Sequence, residues 1–228
     1  MIEHVRRRAM LSKVVSEIYV ATCDQEIADV VRGYGGNVIM TPNTHKNGTS
    51  RVAEVIKSID CSHVILLQGD EPLLLPRHLD SVANAILADP KVDAWNATGS
   101  IADEEELDRH SFVKCAVGNA DRILYCFRRS PCYSEFEKQK QYIRKILGII
   151  AYRKDFLLEL TMLESKIEQY EFIEQMCIIE NGYTIKSIPV EPSLPGVNEP
   201  VETDIVLSYI LNNQEQSVLL KNILRNSD

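Results

Sequence analysis

A chain of 228 residues with 45% hydrophobic and 25% charged residues has the size and mix of a folded globular protein, which excludes a disulfide-stapled miniprotein and a disordered or low-complexity chain. A formal net charge of −8 argues against a protein that holds nucleic acid by releasing counterions, so its ligands are expected to be small. Six cysteines without a CxxC pair, no apolar run near the roughly 18 residues of a membrane helix and no signal-peptide core make the cytoplasm the default compartment.

In chain order, Ile2, Val5, Ala9 and Met10 recur at helical spacing beside Arg6, Arg7 and Arg8, so the chain opens in an amphipathic helix. Residues 17–22 read as a buried strand, Asp24 as the N-cap of a helix through Val31, and Gly35-Gly36 as its stop before a short strand at 37–40. Thr49 or Ser50 is the expected cap of a helix over 51–58, and 63–68 is a continuous apolar strand of the kind found in sheets covered on both faces. A helix is predicted over 79–87, a strand over 94–98 and an acidic turn of helix over 103–109. The runs 112–117 and 122–127 flank Gly118-Asn119 as a hairpin. Residues 130–141 lack a clean period, which marks an excursion or arm within about 122–150 through which two copies could associate, and 146–152 returns as an apolar strand. Helices follow over 156–163 and 167–179, the second ended by Gly182, then a strand over 184–190 and a closing helix over 201–210 after Pro200. The alternation favours a single α/β domain, residues 1–228, whose open, mainly parallel sheet carries helices on both faces. Ligands of such sheets gather beyond the carboxyl ends of the strands.

The sharpest local feature stands at such an end: Gln68-Gly-Asp-Glu-Pro72 follows the apolar strand, Gly69 lets the backbone turn, and Asp70 projects from the strand edge. A carboxylate there suits Mg²⁺, which takes few protein oxygens; the plainer alternative is that Asp70 and Glu71 cap the next helix. The loop His45-Lys-Asn-Gly-Thr-Ser-Arg51 either receives a phosphate on its N–H groups, Thr49 and Arg51, or is an ordinary capped loop. Arg128-Arg129 either meets an anionic sugar acid or is surface charge. His4, His63, His78 and His110 have no ligand spacing, so zinc is not expected.

In this order the pieces Met1-Ile-Glu-His-Val5, Val20-Ala-Thr-Cys-Asp24, 45–55, Gln68 to Pro72, 127–131, 148–153, 171–175 and 196–200 resemble the CMP-Kdo synthetase family, the 3-deoxy-manno-octulosonate cytidylyltransferases of lipopolysaccharide synthesis. The resemblance covers nearly the whole chain. It implies a three-layer, Rossmann-like nucleotide-diphospho-sugar transferase fold with a mostly parallel mixed sheet, a dimerisation arm and hence a homodimer. It further implies that the anomeric hydroxyl of a 3-deoxy-ulosonic acid attacks the α-phosphorus of CTP, giving a CMP-sugar and pyrophosphate. Such transfer relies on positioning and charge neutralisation and needs no enzyme nucleophile. By the family pattern Asp70 and Asn198 hold Mg²⁺, Gln68, Asn47, Gly48, Thr49 and Arg51 address the nucleotide, and Arg129, Tyr152, Glu171, Glu174 and Gln175 line the sugar side.

The departures from the family are as informative. Its usual opening strand and basic AR…S.R.PGK loop have no counterpart here, so the chain is expected to turn over more slowly than one that carries them, and a noncatalytic, dimer-forming relative is the alternative reading. Asn198 stands where the family has Asp, which lowers metal affinity unless Glu199, Glu202 or Asp204 compensates. Asn47 replaces Ser, and Ile146-Leu-Gly-Ile-Ile150 replaces His-x-Gly-Ile-Tyr. The Ile146 and Ile150 changes fall on the sugar side and point to a modified substrate such as 8-amino-Kdo or another ulosonic or nonulosonic acid.

Overall fold

The computed structural model describes residues 1–197 and 199–225 and opens, as the helical spacing predicts, with α1 (Ile2–Ala9), followed by β1 (Tyr19–Thr22), α2 (Gln25–Gly33) and β2 (Asn37–Met40). Asp24 lies in extended backbone and its Oδ1 accepts from the N–H groups of Glu26 and Ile27 at 2.8 and 3.2 Å, satisfying two donors that a helix start leaves without partners. Gly35 leaves the helix at φ +70°, a conformation that costs a residue without a Cβ little. The next helix, α3 (Gly48–Val55), starts earlier than expected because its cap is Asn47, whose side chain accepts from the Ser50 N–H at 2.9 Å. Thr49 is thereby moved from the cap into the first turn.

There follow β3 (His63–Leu67), α4 (Pro76–Ala88), β4 (Ala94–Gly99), the single turn α5 (Glu105–Asp108), β5 (Lys114–Val117), β6 (Ile123–Phe127), α6 (Phe136–Gln139) and β7 (Ile143–Arg153). β5 and β6 form the predicted antiparallel hairpin with Cys115 opposite Cys126. The two ends of the expected arm at about 122–150 are strands, β6 and the start of β7, and its aperiodic middle folds back: Cys132, Phe136 and Tyr142 pack on Ile101, Leu107, Phe127 and Ile143.

β7 organises the larger sheet. It runs antiparallel to β4 along one edge and, along the other, to β5 at residues 143–145 and to β3 at residues 149–153. β8 (Ile185–Pro189) adds to β4 in parallel, giving the order β6-β5-β7-β4-β8 with β3 on β7, while β1 and β2 form a separate parallel pair. The sheet is mixed: β3, β4, β5 and β8 share one direction and β6 and β7 oppose it. β3 is half-buried rather than covered, with only Leu66 fully inside, because its edge away from β7 carries no strand among the described residues.

The remaining helices are α7 (Lys154–Leu160), α8 (Lys166–Glu171), α9 (Gln175–Glu180), α10 (Glu202–Asn212) and α11 (Gln214–Arg225). Alternation along β7 separates the layers: Ile149 and Ala151 join Trp95, Leu79, Val82 and Ile86 on the α4 face, whereas Ile150 and Tyr152 join Ala53, Phe156, Leu157 and Met176 on the face covered by α3, α7 and α9. The single helix expected over 167–179 is two, because Phe172 adopts φ +53° between them. Arg128 holds this break, donating from Nε to the Glu171 carbonyl and from Nη2 to the Phe172 carbonyl, both at 3.2 Å. α11 has no counterpart among the predicted elements. It docks through a polar anchor: the buried Gln216 donates to the Leu73 carbonyl at 2.9 Å and accepts from the buried Arg8 at 2.5 Å. Among the described residues no helix is long and apolar enough to cross a membrane.

Candidate active site

The site lies where β5 and β3 part along the edge of β7. The Ile146 N–H donates to the Val113 carbonyl on the β5 side, and the Gln68 N–H donates to the Gly148 carbonyl on the β3 side, both at 2.9 Å. Between these rungs a cleft of about 1270 Å³ opens, walled by the start of α3, the residues after β3, the middle of β7, the α8–α9 break, and Ser193 to Gly196 with Glu202.

Asp70 stands at one end of the cleft, one turn of chain beyond the carboxyl end of β3. The Val197 N–H donates to the Asp70 carbonyl at 2.9 Å and so holds the 193–197 segment against it. The side-chain Oδ1 is sealed from solvent without a hydrogen-bond partner among the described residues. Burial pushes the carboxyl pKa up, its own backbone N–H opposes this, and the Glu202 charge adds to it. A desolvated, unpaired carboxylate oxygen is costly unless something binds it, so this oxygen fits a hard divalent cation, with Glu202 as the neighbouring carboxylate. Asn198, the second predicted metal ligand, lies outside the described residues.

Glu71 turns under the sheet edge, where its Oε1 accepts from the Gly148 N–H at 3.0 Å. Burial raises its pKa to about 7, against the pull of that N–H and with help from Asp70. The folded value lies above the ordinary 4.5, so the folded chain holds this proton more tightly than the unfolded one. Its contribution to stability is fully present below about pH 4.5 and is lost as pH rises through about 7. Glu71→Gln keeps the acceptor and removes the titration. It should match the parent near pH 4.5 and exceed it by roughly 2–3 kcal/mol at pH 8, measured by urea unfolding in chelator; equal stability at both pH values would count against a buried, proton-holding Glu71.

The other end of the cleft is a hydroxyl–carboxylate network. Thr49 donates to Glu174 Oε2 at 2.6 Å and lies 2.9 Å from the hydroxyl of the buried Tyr152. Asn47 donates to Glu168 at 3.3 Å, and Gln175 donates to Asn96 at 3.0 Å. Burial pushes both glutamates above the usual carboxylate range; the Thr49 hydroxyl opposes this at Glu174 and the Glu168 charge adds to it, while Cys177 and Lys46 oppose it at Glu168.

Of the predicted residues, Asn47, Gly48, Thr49, Gln68, Asp70, Glu174 and Gln175 line this one cleft. Arg51, Arg129, Tyr152 and Glu171 do not. Arg51 is drawn away to Thr41 and the Pro42 carbonyl. Arg129 points outward to Asp108 at 3.5 Å, and Arg128, one residue earlier, faces the cleft instead. Tyr152 lies beneath the wall, buttressing Thr49, and Glu171 is exposed at the end of α8, where its carbonyl holds Arg128. Sequence reasoning missed Glu71, Glu168 and Asn96. The signal for Asn96 was there: an amide in the middle of the strand Ala-Trp-Asn-Ala must have buried partners.

Comparisons with known proteins agree with this geometry. A cytidylyltransferase family model matches residues 1–188. The chain is 36% identical over 201 residues to a 3-deoxy-manno-octulosonate cytidylyltransferase of Escherichia coli, covering 88% of this chain and 81% of that protein. It is 34% identical over 215 residues to the enzyme of that name from Fusobacterium nucleatum, covering 93% and 87%. The solved structure of a CMP:2-keto-3-deoxy-manno-octonic acid synthetase complexed with CTP superposes with a TM-score of 0.85 at 33% identity, covering 92% of this chain and 87% of that one. A 4-diphosphocytidyl-2C-methyl-D-erythritol synthase from Anaerococcus prevotii shares the fold, with a TM-score of 0.64 at 15% identity over 92% of this chain and 86% of that one. With motif order, cleft and relatives in agreement, the chain belongs to the 3-deoxy-manno-octulosonate cytidylyltransferase family of cytidylyltransferases.

Proposed function

We propose that this cytidylyltransferase activates a 3-deoxy-ulosonic acid, Kdo or its 8-amino relative, with CTP to give a CMP-sugar and pyrophosphate for lipopolysaccharide synthesis, with Mg²⁺ as cofactor. The observation that carries the reading is the desolvated Oδ1 of Asp70, without a hydrogen-bond partner among the described residues, on a residue that lines the strand-end cleft. Asp70 and Glu202 would hold the metal, which when bound offsets phosphate charge and lowers the pKa of an attacking hydroxyl. The N–H groups at the start of α3 present partial positive charge to the nucleotide. Arg128 keeps its charge facing the cleft because its own partners are carbonyls, and it suits the sugar carboxylate. Glu174 and Gln175 suit donors on the sugar. Glu168 and Glu174 line the same cleft as the apolar Ile146 and Ile150, and their carboxylates accept from a hydroxyl or an ammonium group, which favours including the 8-amino substrate.

A cytoplasmic homodimer is part of the proposal. All six cysteines are free thiols, as a reducing compartment would keep them, and Leu124, Tyr125 and Tyr133 present exposed apolar surface on and just beyond the edge strand β6.

The test is pyrophosphate release from CTP and Mg²⁺ with Kdo or 8-amino-Kdo. Release with neither acid would defeat the reading. For the metal, Glu202→Gln should weaken Mn²⁺ binding about tenfold, read from the free-ion electron paramagnetic resonance signal, with the fold unchanged; equal affinity would remove Glu202 from the site.

A further inference from the structure

Asn96 lies at the centre of β4 with no exposed surface, in a strand otherwise given to core packing. Its Nδ2 faces three backbone carbonyls, those of Ala97 and Leu147 at 2.9 Å and Ile149 at 3.3 Å. The β4–β7 register shifts between Asn96 and Thr98, an irregularity beside which the side-chain amide serves these carbonyls in place of ladder N–H groups. Three acceptors permit only one orientation of the Asn96 amide, because exchanging its oxygen and nitrogen would set oxygen against oxygen. Oδ1 must therefore point to the helical layer, where it accepts from Gln175 Nε2 at 3.0 Å. This in turn permits only one orientation of the Gln175 amide. Gln175 is 6% exposed and lines the cleft; its Oε1 makes no hydrogen bond to the protein among the described residues and is not among the sealed orphan atoms, which are Arg8 Nη2 and Asp70 Oδ1.

We infer that Asn96 is a positioning residue: by fixing the Gln175 amide it presents Oε1, an acceptor, to the sugar side of the cleft, so that the site selects a sugar acid with a hydrogen-bond donor, hydroxyl or ammonium, at that point. This rests on the proposed sugar-nucleotide chemistry and deepens it. A Gln175 amide free to turn would offer its N–H₂ as readily as its oxygen, and the preference for a donor over an acceptor on the substrate would fade. No charge at Asn96 and no contact between Asn96 and substrate is required.

The experiment is a double-mutant cycle with Asn96→Ala and Gln175→Met, reading kcat and KM for the sugar acid, KM for CTP, and thermal unfolding of each variant. Each single substitution should raise KM for the sugar acid about tenfold and leave KM for CTP within about twofold, and the double variant should be no worse than Gln175→Met alone. If the effect of Asn96→Ala persists undiminished in the Gln175→Met background, or moves both KM values together, Asn96 does not act through Gln175. Should Asn96→Ala fail to fold, Asn96→Thr, whose hydroxyl still donates to one carbonyl, carries the same cycle. A parent chain that turns over while the cycle is additive overturns the role of Asn96 alone; a parent inert with every ulosonic acid overturns the proposed chemistry and this inference with it.

Discussion

Asp70→Asn is expected to lower magnesium-dependent turnover by about a thousandfold and to leave the fold intact. The exchange keeps the shape of a side chain whose Oδ1 has no partner among the described residues; the loop is held by the Asp70 carbonyl, which accepts from Val197 at 2.9 Å. What disappears is negative charge at the point where a cation would meet the phosphates, and removing one such electrostatic contact from a water-excluded site typically costs about 3–4 kcal/mol of transition-state stabilisation. Stability should hold or rise, because burial already disfavours the charged carboxyl. Pyrophosphate release and thermal unfolding in chelator read the two effects separately. An unchanged rate would remove Asp70 from the proposed metal site.

Gly148→Ala should be nearly as damaging to turnover, by about a hundredfold, for a steric reason. A Cβ at this position would lie 2.5 Å from Glu71 Oε1 and 2.9 Å from Gln68 Oε1 and Glu71 Cγ. The obstacles are side chains, so the sheet itself survives at a cost of about 1–3 kcal/mol, typical of overpacking. The side chains that must move are Gln68 and Glu71, both lining the cleft and one of them the neighbour of Asp70, and Glu71 also loses its bond from the Gly148 N–H. By contrast, a Cβ on Gly33, at the end of α2 and away from the cleft, would meet nothing within 4 Å, so Gly33→Ala serves as the control in the same assay. Equal turnover by the two variants would show that the position of Glu71 and Gln68 is immaterial.

The order of elements was legible because its signals are local. Asp24 before an apolar period, Gly35-Gly36 after it, and the apolar run that ends at Gln68-Gly-Asp-Glu-Pro72 each state a backbone preference within a few residues. The failures have equally definite causes. The helix over 167–179 was broken at Phe172 by a left-handed residue whose neighbouring carbonyls are satisfied by Arg128, 43 residues from Glu171. α11 does carry apolar residues at helical spacing, Leu219, Leu220 and Ile223, but what fixes it to the domain is a buried Gln216–Arg8 contact spanning 208 residues. Choosing Arg129 over Arg128 was a matter of one residue, decided by which guanidinium reaches the carbonyls of the helix break.

By itself the sequence determined the alternation of strands and helices, the acidic residue at a strand end, the Asn-Gly-Thr turn and the kind of chemistry these suit, since periods of two and 3.6 and short caps are written in neighbouring residues. Only the tertiary structure decided that β7 runs antiparallel through the middle of the sheet, holding β5 and β3 apart along one edge so that residues 47–49, 68–71 and 174–175 face a common space. It likewise decided which carboxylates are desolvated and which amide oxygen is free. Those properties depend on contacts between residues distant along the chain, and burial, pairing and charge coupling have no expression in local sequence until the chain has closed upon itself.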